Sequence, residues 1–294
     1  MNLKDALPKR SHSRRLKDEL KLIRGRVKCQ LQQKPRSLKI FVLGTGRSGT
    51  HWLGDIMSAH PSIAATVEKP PAFTWVVELA MQPEKMDELF PKLVRRYRYE
   101  HADVEPRHFL DKSHPSLWIA DAIAEAFPEA MFVAIRRDVF GTVNSMLQHE
   151  GVMRWIHGWT SFPLPNRFLG ITPETAEAYA ALPLEGKCAV RWKAHMQQLD
   201  RLGKILGPRL LELSYDNLQT DTAAQLERIA NFLELGTALP LPNIKRRSLA
   251  RWREELTATQ QSNIEAAVER FPVDSQDGSR LLEPAGAASA AVAR

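Results

Sequence analysis

The chain has 294 residues, 44% hydrophobic and 26% charged, an ordinary globular composition with apolar material for one large domain or two small ones. Global disorder is excluded, no run approaches the roughly 18 consecutive apolar residues of a membrane span, and no apolar signal region opens the chain, so a cytoplasmic location is expected. The net charge of +7 sits in residues 1–36, which hold twelve Lys/Arg against three Asp/Glu, and the slightly acidic remainder argues against a nucleic-acid partner.

In residues 1–36, Leu16, Leu20, Ile23, Val27 and Leu31 recur at helical spacing and predict a basic amphipathic helix ending before Pro35. Such a helix either lies solvated on the domain or docks on a membrane surface or other anionic partner. Four short apolar runs then predict buried strands: Leu38 to Leu43, Phe109 to Leu110 with its flanks, Met131 to Ile135, and Leu210 to Leu213. Helical patterns lie between them, notably Ser116 to Phe127 and Thr222 to Leu233. Alternation of strand and helix predicts an α/β fold with a parallel β-sheet flanked by helices, and ligands at the carboxyl ends of its strands. With no internal repeat or linker, residues 37–283 are expected to form one domain with insertions near 69–107 and 147–190, and 284–294 a frayed tail. Cys29 and Cys188 are too few and too isolated for a disulfide framework or a zinc site, and no metal is expected.

Directly after the first strand comes GTGRSGTHWL, Gly44 to Leu53, leading into a helix whose Trp52, Leu53, Ile56 and Met57 share a face. Strand, glycine turn and helix start together make a cradle of backbone N–H groups at a positive dipole end. In the ATP-binding loop pattern G-x-x-x-x-G-K-[ST], Gly44 and Gly49 fit, but Thr50 replaces the lysine and His51 the magnesium-binding hydroxyl. The cation lies inside the loop, at Arg47. The strand Met131 to Ile135 runs into RRDVFGTVNSM, so Arg137 and Ser145, eight residues on, can converge on a second anion. Two anion sites on neighbouring strand ends call for a ligand with two separated anionic groups.

On these two motifs the sequence resembles the PAPS-dependent sulfotransferase family, whose fold is P-loop NTPase-like. Arg47-Ser48-Gly49-Thr50 is similar to the family's 5′-phosphosulfate loop in its R-S-G-T branch. Arg137 and Ser145 match the spacing of its 3′-phosphate site, with Val139 in place of the usual proline. AHPSI, FLDKSHP, FPEAMFVAIRRD, LELSYDNL, NFLEL and a late basic run before RWREEL agree in order, so the resemblance covers roughly residues 38–256. It implies in-line transfer of a sulfuryl group from 3′-phosphoadenylyl sulfate (PAPS) to a hydroxyl or amine, with adenosine 3′,5′-bisphosphate as product and no metal. It implies donor contacts from Gly46, Arg47, Ser48, Gly49, Thr50, His51, Trp52, Arg137, Ser145, Tyr215 near the adenine, and one of Lys245, Arg246 and Arg247, for which Arg246 is named. The acceptor and the oligomeric state stay open.

Two bases are on offer. Glu68 lies seven residues after Pro61, similar to the catalytic glutamate of tyrosylprotein-type relatives, and this position favours it. His114 in DKSHP resembles the histidine of cytosolic small-molecule enzymes and is intrinsically matched to proton removal near pH 7. Lys112 supports the transferred group by resemblance, or else pairs with Asp111 or a helix end. Tyr215 is equally readable as a core residue. RRYRYEH, Arg95 to His101, is either a solvated helical face or a site for nucleic acid or acidic glycan. Trp155, Trp159, Phe162 and Phe168 either line an acceptor pocket or anchor an insertion. The rival readings are a P-loop nucleotide kinase or other phosphotransferase, which needs the missing lysine, and a non-catalytic adenosine-bisphosphate-binding module.

Overall fold

A computed structural model describes residues 12–31, 36–243 and 249–273, with side chains from residue 18 onward. Five strands, β1 (Lys39–Leu43), β2 (Ile63–Val67), β3 (His108–Lys112), β4 (Met131–Arg136) and β5 (Leu210–Ser214), form one parallel sheet in the order β2-β3-β1-β4-β5. The helices α1 (His12–Leu31), α2 (Thr50–Ser58), α3 (Ala72–Met81), α4 (Met86–Val104), α5 (Ala120–Ala126), α6 (Val139–Leu147) and α7 (Glu150–His157) come first in the chain. They are followed by α8 (Ala176–Ala181), α9 (Leu184–Leu206), α10 (Tyr215–Thr220), α11 (Thr222–Phe232), α12 (Arg251–Glu255) and α13 (Ala258–Arg270).

Side chains alternate faces along a strand, so a strand apolar on both faces feeds two cores. In β1, Phe41 and Leu43 enter one apolar cluster while Ile40 and Val42 enter the other, and β4 does the same with Phe132 and Ala134 against Val133 and Ile135. All eight are buried, each large aliphatic or aromatic one contributing about 1.5–3 kcal/mol. The central strands are thereby pinned in register, Ile40 opposite Met131 and Lys39 opposite Phe109. This fixes where the chain leaves the sheet at Leu43, Lys112 and Arg136, and those exits, with the ends of β2 and β5, build the site.

The sheet has one strand more than the apolar runs predict. Edge strand β2, IAATV, is half-buried beyond Ile63 and rich in alanine, so it lacks the run that marks the central strands. Both insertions are helical: α3 and α4 fill the first, and α7, α8 and the start of α9 the second. The stretch RRYRYEH lies on α4 and is not a simple solvated face. Arg96 and Glu100 form a buried ion pair at 2.7 Å, Tyr97 donates to Asp111 at 3.0 Å, and His101 bonds Ser37, while Arg95 and Arg98 are exposed.

Helix α1 lies along α4, as the basic-segment reading allows, with Arg24, Gly25 and Lys28 against Tyr99 and Asp103. Gly25 is indispensable to this contact, since a Cβ there would come 2.0 Å from the Tyr99 carbonyl oxygen. Arg24 clamps Asp103 at 2.6 Å and Lys69 reaches Asp18 at 2.6 Å. The stripe Leu20, Ile23, Val27 and Leu31 points the other way and is exposed. No helix among the described residues is long and apolar enough to cross a membrane. Lys245, Arg246 and Arg247, the rest of residues 1–36 and the tail 284–294 lie outside the described residues.

Candidate active site

The first loop turns between β1 and α2. Its cap residue Gly49 has φ +101° and packs so closely under Tyr215 that a Cβ would sit 2.6 Å from the ring, so only glycine fits. Arg47, also at positive φ (79°), is held in a sparsely populated conformation that aims its side chain across the loop. Ser48 Oγ and N–H both return to the Thr45 carbonyl, which closes the turn. No side chain caps the first turn of α2, so its N–H groups, beginning with the buried Thr50, are available to an anion.

Arg137 follows β4 directly. Asp138 caps α6 by accepting from Gly141 N–H at 2.7 Å, so the missing proline at Val139 does not disturb the helix start. Two turns along, Ser145 accepts a hydrogen bond from Arg47 Nε at 3.2 Å, while Arg137 Nη1 donates to the Arg47 carbonyl at 3.3 Å and stacks 4.3 Å over Tyr215. Trp192 on α9 steadies this corner by donating to the Arg137 carbonyl at 3.0 Å. Burial and then the neighbouring Arg137 charge lower the Arg47 pKa, a repulsion that a bound anion would relieve. Arg47, Arg137 and Ser145 line a cleft of about 280 Å³ together with Gly49, Thr50, His51, Trp52 and Tyr215. Tyr215, 7% exposed, packs in one core cluster and also forms a wall of the cleft.

Sequence reasoning missed three groups on the far wall. Asn144 and Gln148 occupy the α6 face and its end, and Arg251 on α12 donates to Gln148 at 2.7 Å. Arg251 belongs to RWREEL, so the signal was a cation immediately beyond the basic run. Gly46 does not line this cleft. A Cβ on it would meet His114 Nε2 at 3.2 Å and Arg191 Nη2 at 3.3 Å, which puts it on the other side of the loop.

That other side is an ion network. Glu68 follows β2 at φ +46°, its N–H bonded to the Lys112 carbonyl, and its carboxylate is a hub: Lys112 Nζ at 2.5 Å, His114 Nδ1 at 2.8 Å and His51 Nε2 at 3.4 Å. Lys112 also reaches His51 Nδ1 at 2.7 Å. It does not pair with Asp111, because neighbours on a strand point to opposite faces; Asp111 is satisfied instead by Thr66 and Tyr97. Burial raises the Glu68 pKa, but the His114 hydrogen bond and the His114, Lys112 and His51 charges outweigh it, and the carboxyl is held well below its usual range. Burial brings His114 down to about 4 against the pull of Glu68. Burial and then Lys112 lower His51, and burial lowers Lys112 while Glu68 opposes it. At neutral pH His114 is therefore uncharged, and because Glu68 can only accept, Nδ1 carries the hydrogen and Nε2 keeps a free lone pair.

Of the aromatic residues in the second insertion, Phe168 is buried 5.1 Å from His195 and 4.6 Å from the Arg191 guanidinium. Trp155, Trp159 and Phe162 pack against the larger core cluster, the anchoring arrangement.

A family model described as the sulfotransferase family matches residues 39–238. Two nematode proteins named for protein-tyrosine sulfotransferase are similar over about two thirds of the chain. The one from Caenorhabditis briggsae is 21% identical over 207 residues, and protein-tyrosine sulfotransferase A of Caenorhabditis elegans is 23% identical over 214. The match takes in 67% of this chain in each case but 65% and 50% of the relatives, so the chain spans less than two thirds of their length. Among solved structures, the sulfotransferase domain from the curacin biosynthetic pathway superposes with a TM-score of 0.52 at 13% identity, covering 81% of this chain and 100% of that domain. At that identity the likeness concerns the fold alone.

Proposed function

The chain belongs to the sulfotransferase family, and from that premise we propose that it transfers a sulfuryl group from PAPS to a hydroxyl or amine of an acceptor, with His114 as the base. The observation that carries this reading is the position of the glycine loop between a cleft lined by Arg47, Arg137 and Ser145 and a histidine whose lone pair faces the loop.

On the cleft side, the α2 N-terminus, Thr50 and Arg47 suit the 5′-phosphosulfate, and Arg137 with Ser145 suits the 3′-phosphate. Tyr215 and Trp52, 5.8 Å apart edge to face, offer a wall for the purine. PAPS supplies the sulfuryl group and a leaving 5′-phosphate. As the acceptor oxygen or nitrogen bonds to sulfur, its proton passes to His114 Nε2, and the electron pair of the breaking S–O bond leaves with the bisphosphate. Glu68 holds His114 in the tautomer that can take that proton and stabilises the imidazolium formed, a role that depends on its remaining ionised. The position of Glu68 in the motif favours it as the base, but its three cationic or donor partners make it a weak proton acceptor. Lys112, fully buried and fixed by Glu68, places a positive charge beside the reacting group.

Isothermal titration without added metal tests the donor. Adenosine 3′,5′-bisphosphate should bind at least tenfold more tightly than AMP, and Arg137→Ala should weaken it by about 1.5–3 kcal/mol with an unchanged melting temperature. Equal affinity for AMP would remove the second anion site, and a loss of fold in the variant would make Arg137 structural.

A further inference from the structure

Arg191 is a cation that the reaction above does not use. It lies on the buried side of α9, 2% exposed. Among the described residues no carboxylate pairs with it: Nη1 has the Met146 sulfur at 3.6 Å and Nε has no hydrogen-bond partner, while the nearby Cys188 thiol, held up at about 12 by burial, stays neutral. The nearby Tyr179 hydroxyl is also buried without a partner. His195 cannot compensate, since burial and then Arg191 itself keep it neutral, and it is engaged with Thr45 at 2.8 Å. A guanidinium presents five N–H donors, and burying it without an anion is costly. The face of Phe168, 4.6 Å away, offsets part of that cost and offers no oxygen.

Where the guanidinium ends indicates which anion is missing. Arg191 Nη2 and His114 Nε2 stand 3.3 and 3.2 Å from the same point beside Gly46, so this end of the guanidinium reaches the phosphate loop next to the base. A group attacked by an acceptor that gives its proton to Nε2 must lie within reach of both. We propose that Arg191 binds an oxygen of the sulfuryl group in transit and is a further catalytic residue of this site. This rests on the donor reading above. The sulfuryl oxygens carry negative charge throughout the transfer, and a preorganised donor in a dry pocket stabilises it without reorganising at the moment of reaction. Arg47 approaches from the cleft and Arg191 from under the loop, so the reacting group is held from two elements.

The test compares PAPS with adenosine 3′,5′-bisphosphate, which differ only in the sulfuryl group, by titration of wild type, Arg191→Met and Arg191→Lys. Arg191→Met should lose about ten- to a hundredfold in PAPS affinity while bisphosphate affinity stays within twofold. Arg191→Lys should recover part of the loss. The melting temperature of Arg191→Met should be no lower than wild type, because the exchange removes an unpaired buried charge. An unchanged PAPS-to-bisphosphate affinity ratio overturns the inference, and so does a parallel fall of both affinities, which would make Arg191 a support of the loop. Failure of the wild type to bind bisphosphate would instead sink the donor reading itself.

Discussion

The two sides of the phosphate loop hold similar residues in opposite states. On the cleft side Arg47 and Arg137 lie close enough to repel, and the first turn of α2 has no side-chain cap. On the other side Glu68 and Lys112 neutralise each other, with His114 hydrogen-bonded to Glu68, and His51, which also borders the cleft, against both. A surface that binds a polyanion gains from charge left unmatched until the ligand arrives. A surface that moves one proton needs its groups fixed in known protonation states beforehand. The difference predicts that substitutions on the cleft side act on affinity and those on the network side act on rate.

The largest effect that could break this division is at His114. His114→Asn should reduce single-turnover transfer from labelled PAPS by about 10²–10⁴, with bisphosphate binding within twofold. Glu68→Gln should cost rate too, and unlike His114→Asn it should lower the unfolding free energy by about 3 kcal/mol or more, because the buried Lys112 loses its carboxylate. The double variant should be scarcely slower than either single one, since the pair acts as a unit. Wild-type rates in His114→Asn together with a dead Glu68→Gln would return the role of base to the carboxylate.

An effect of intermediate size lies in the pH dependence. With His114 at about 4, the acid limb of the rate should fall near pH 4 and not near the ordinary histidine value of 6.5. For stability the folded pKa lies below the unfolded one, so between these values the unfolded chain binds more protons. His114 stabilisation is thus complete above about pH 6.5 and is lost as the pH drops through about 4. His101, also at about 4 through burial, steepens the same window. Melting curves from pH 7 to 4 should show this decline, and His114→Asn should flatten it. A rate limb at 6.5 would mean that His114 keeps an ordinary histidine pKa despite its surroundings.

The smallest effect sharpens where the boundary runs. Gly46→Ala places a methyl group against His114 Nε2 and Arg191 Nη2, both ends of side chains that can yield by a few tenths of an ångström. Turnover should drop severalfold and bisphosphate affinity should not change. A loss of affinity instead would move Gly46 to the cleft side.

The same division governs what could be read from the sequence. The cleft comes from two continuous stretches, Gly44 to Trp52 and Arg137 to Ser145, in which strand end, turn and helix start are local and periodic. The network draws on β2, β3, α2 and the turn after β3, and its meaning lies in distances that spacing does not carry. Glu68 and His114 were legible as two rival bases, yet nothing in AHPSIAATVE or DKSHP says that one bonds the other. Lys112 showed as a strand-end cation, but its partner required knowing that edge strand β2 exists and pairs Val67 with Lys112. Arg191 gave no signal at all, since an arginine on a helix is ordinarily solvated and only the packing of Phe168 and Tyr179 around it makes it unusual. The central strands were legible because they are apolar on both faces.

Gly25 carries a consequence away from the site. Helix α1 rests on α4 across a contact so close that no side chain larger than hydrogen fits, while its leucine-bearing stripe looks outward. The helix is therefore seated like a key in a slot cut for one shape. Widening that single tooth by a methyl group would unseat a twenty-residue element and its exposed apolar stripe together, while the sheet and both sides of the phosphate loop, which α1 does not build, keep their form.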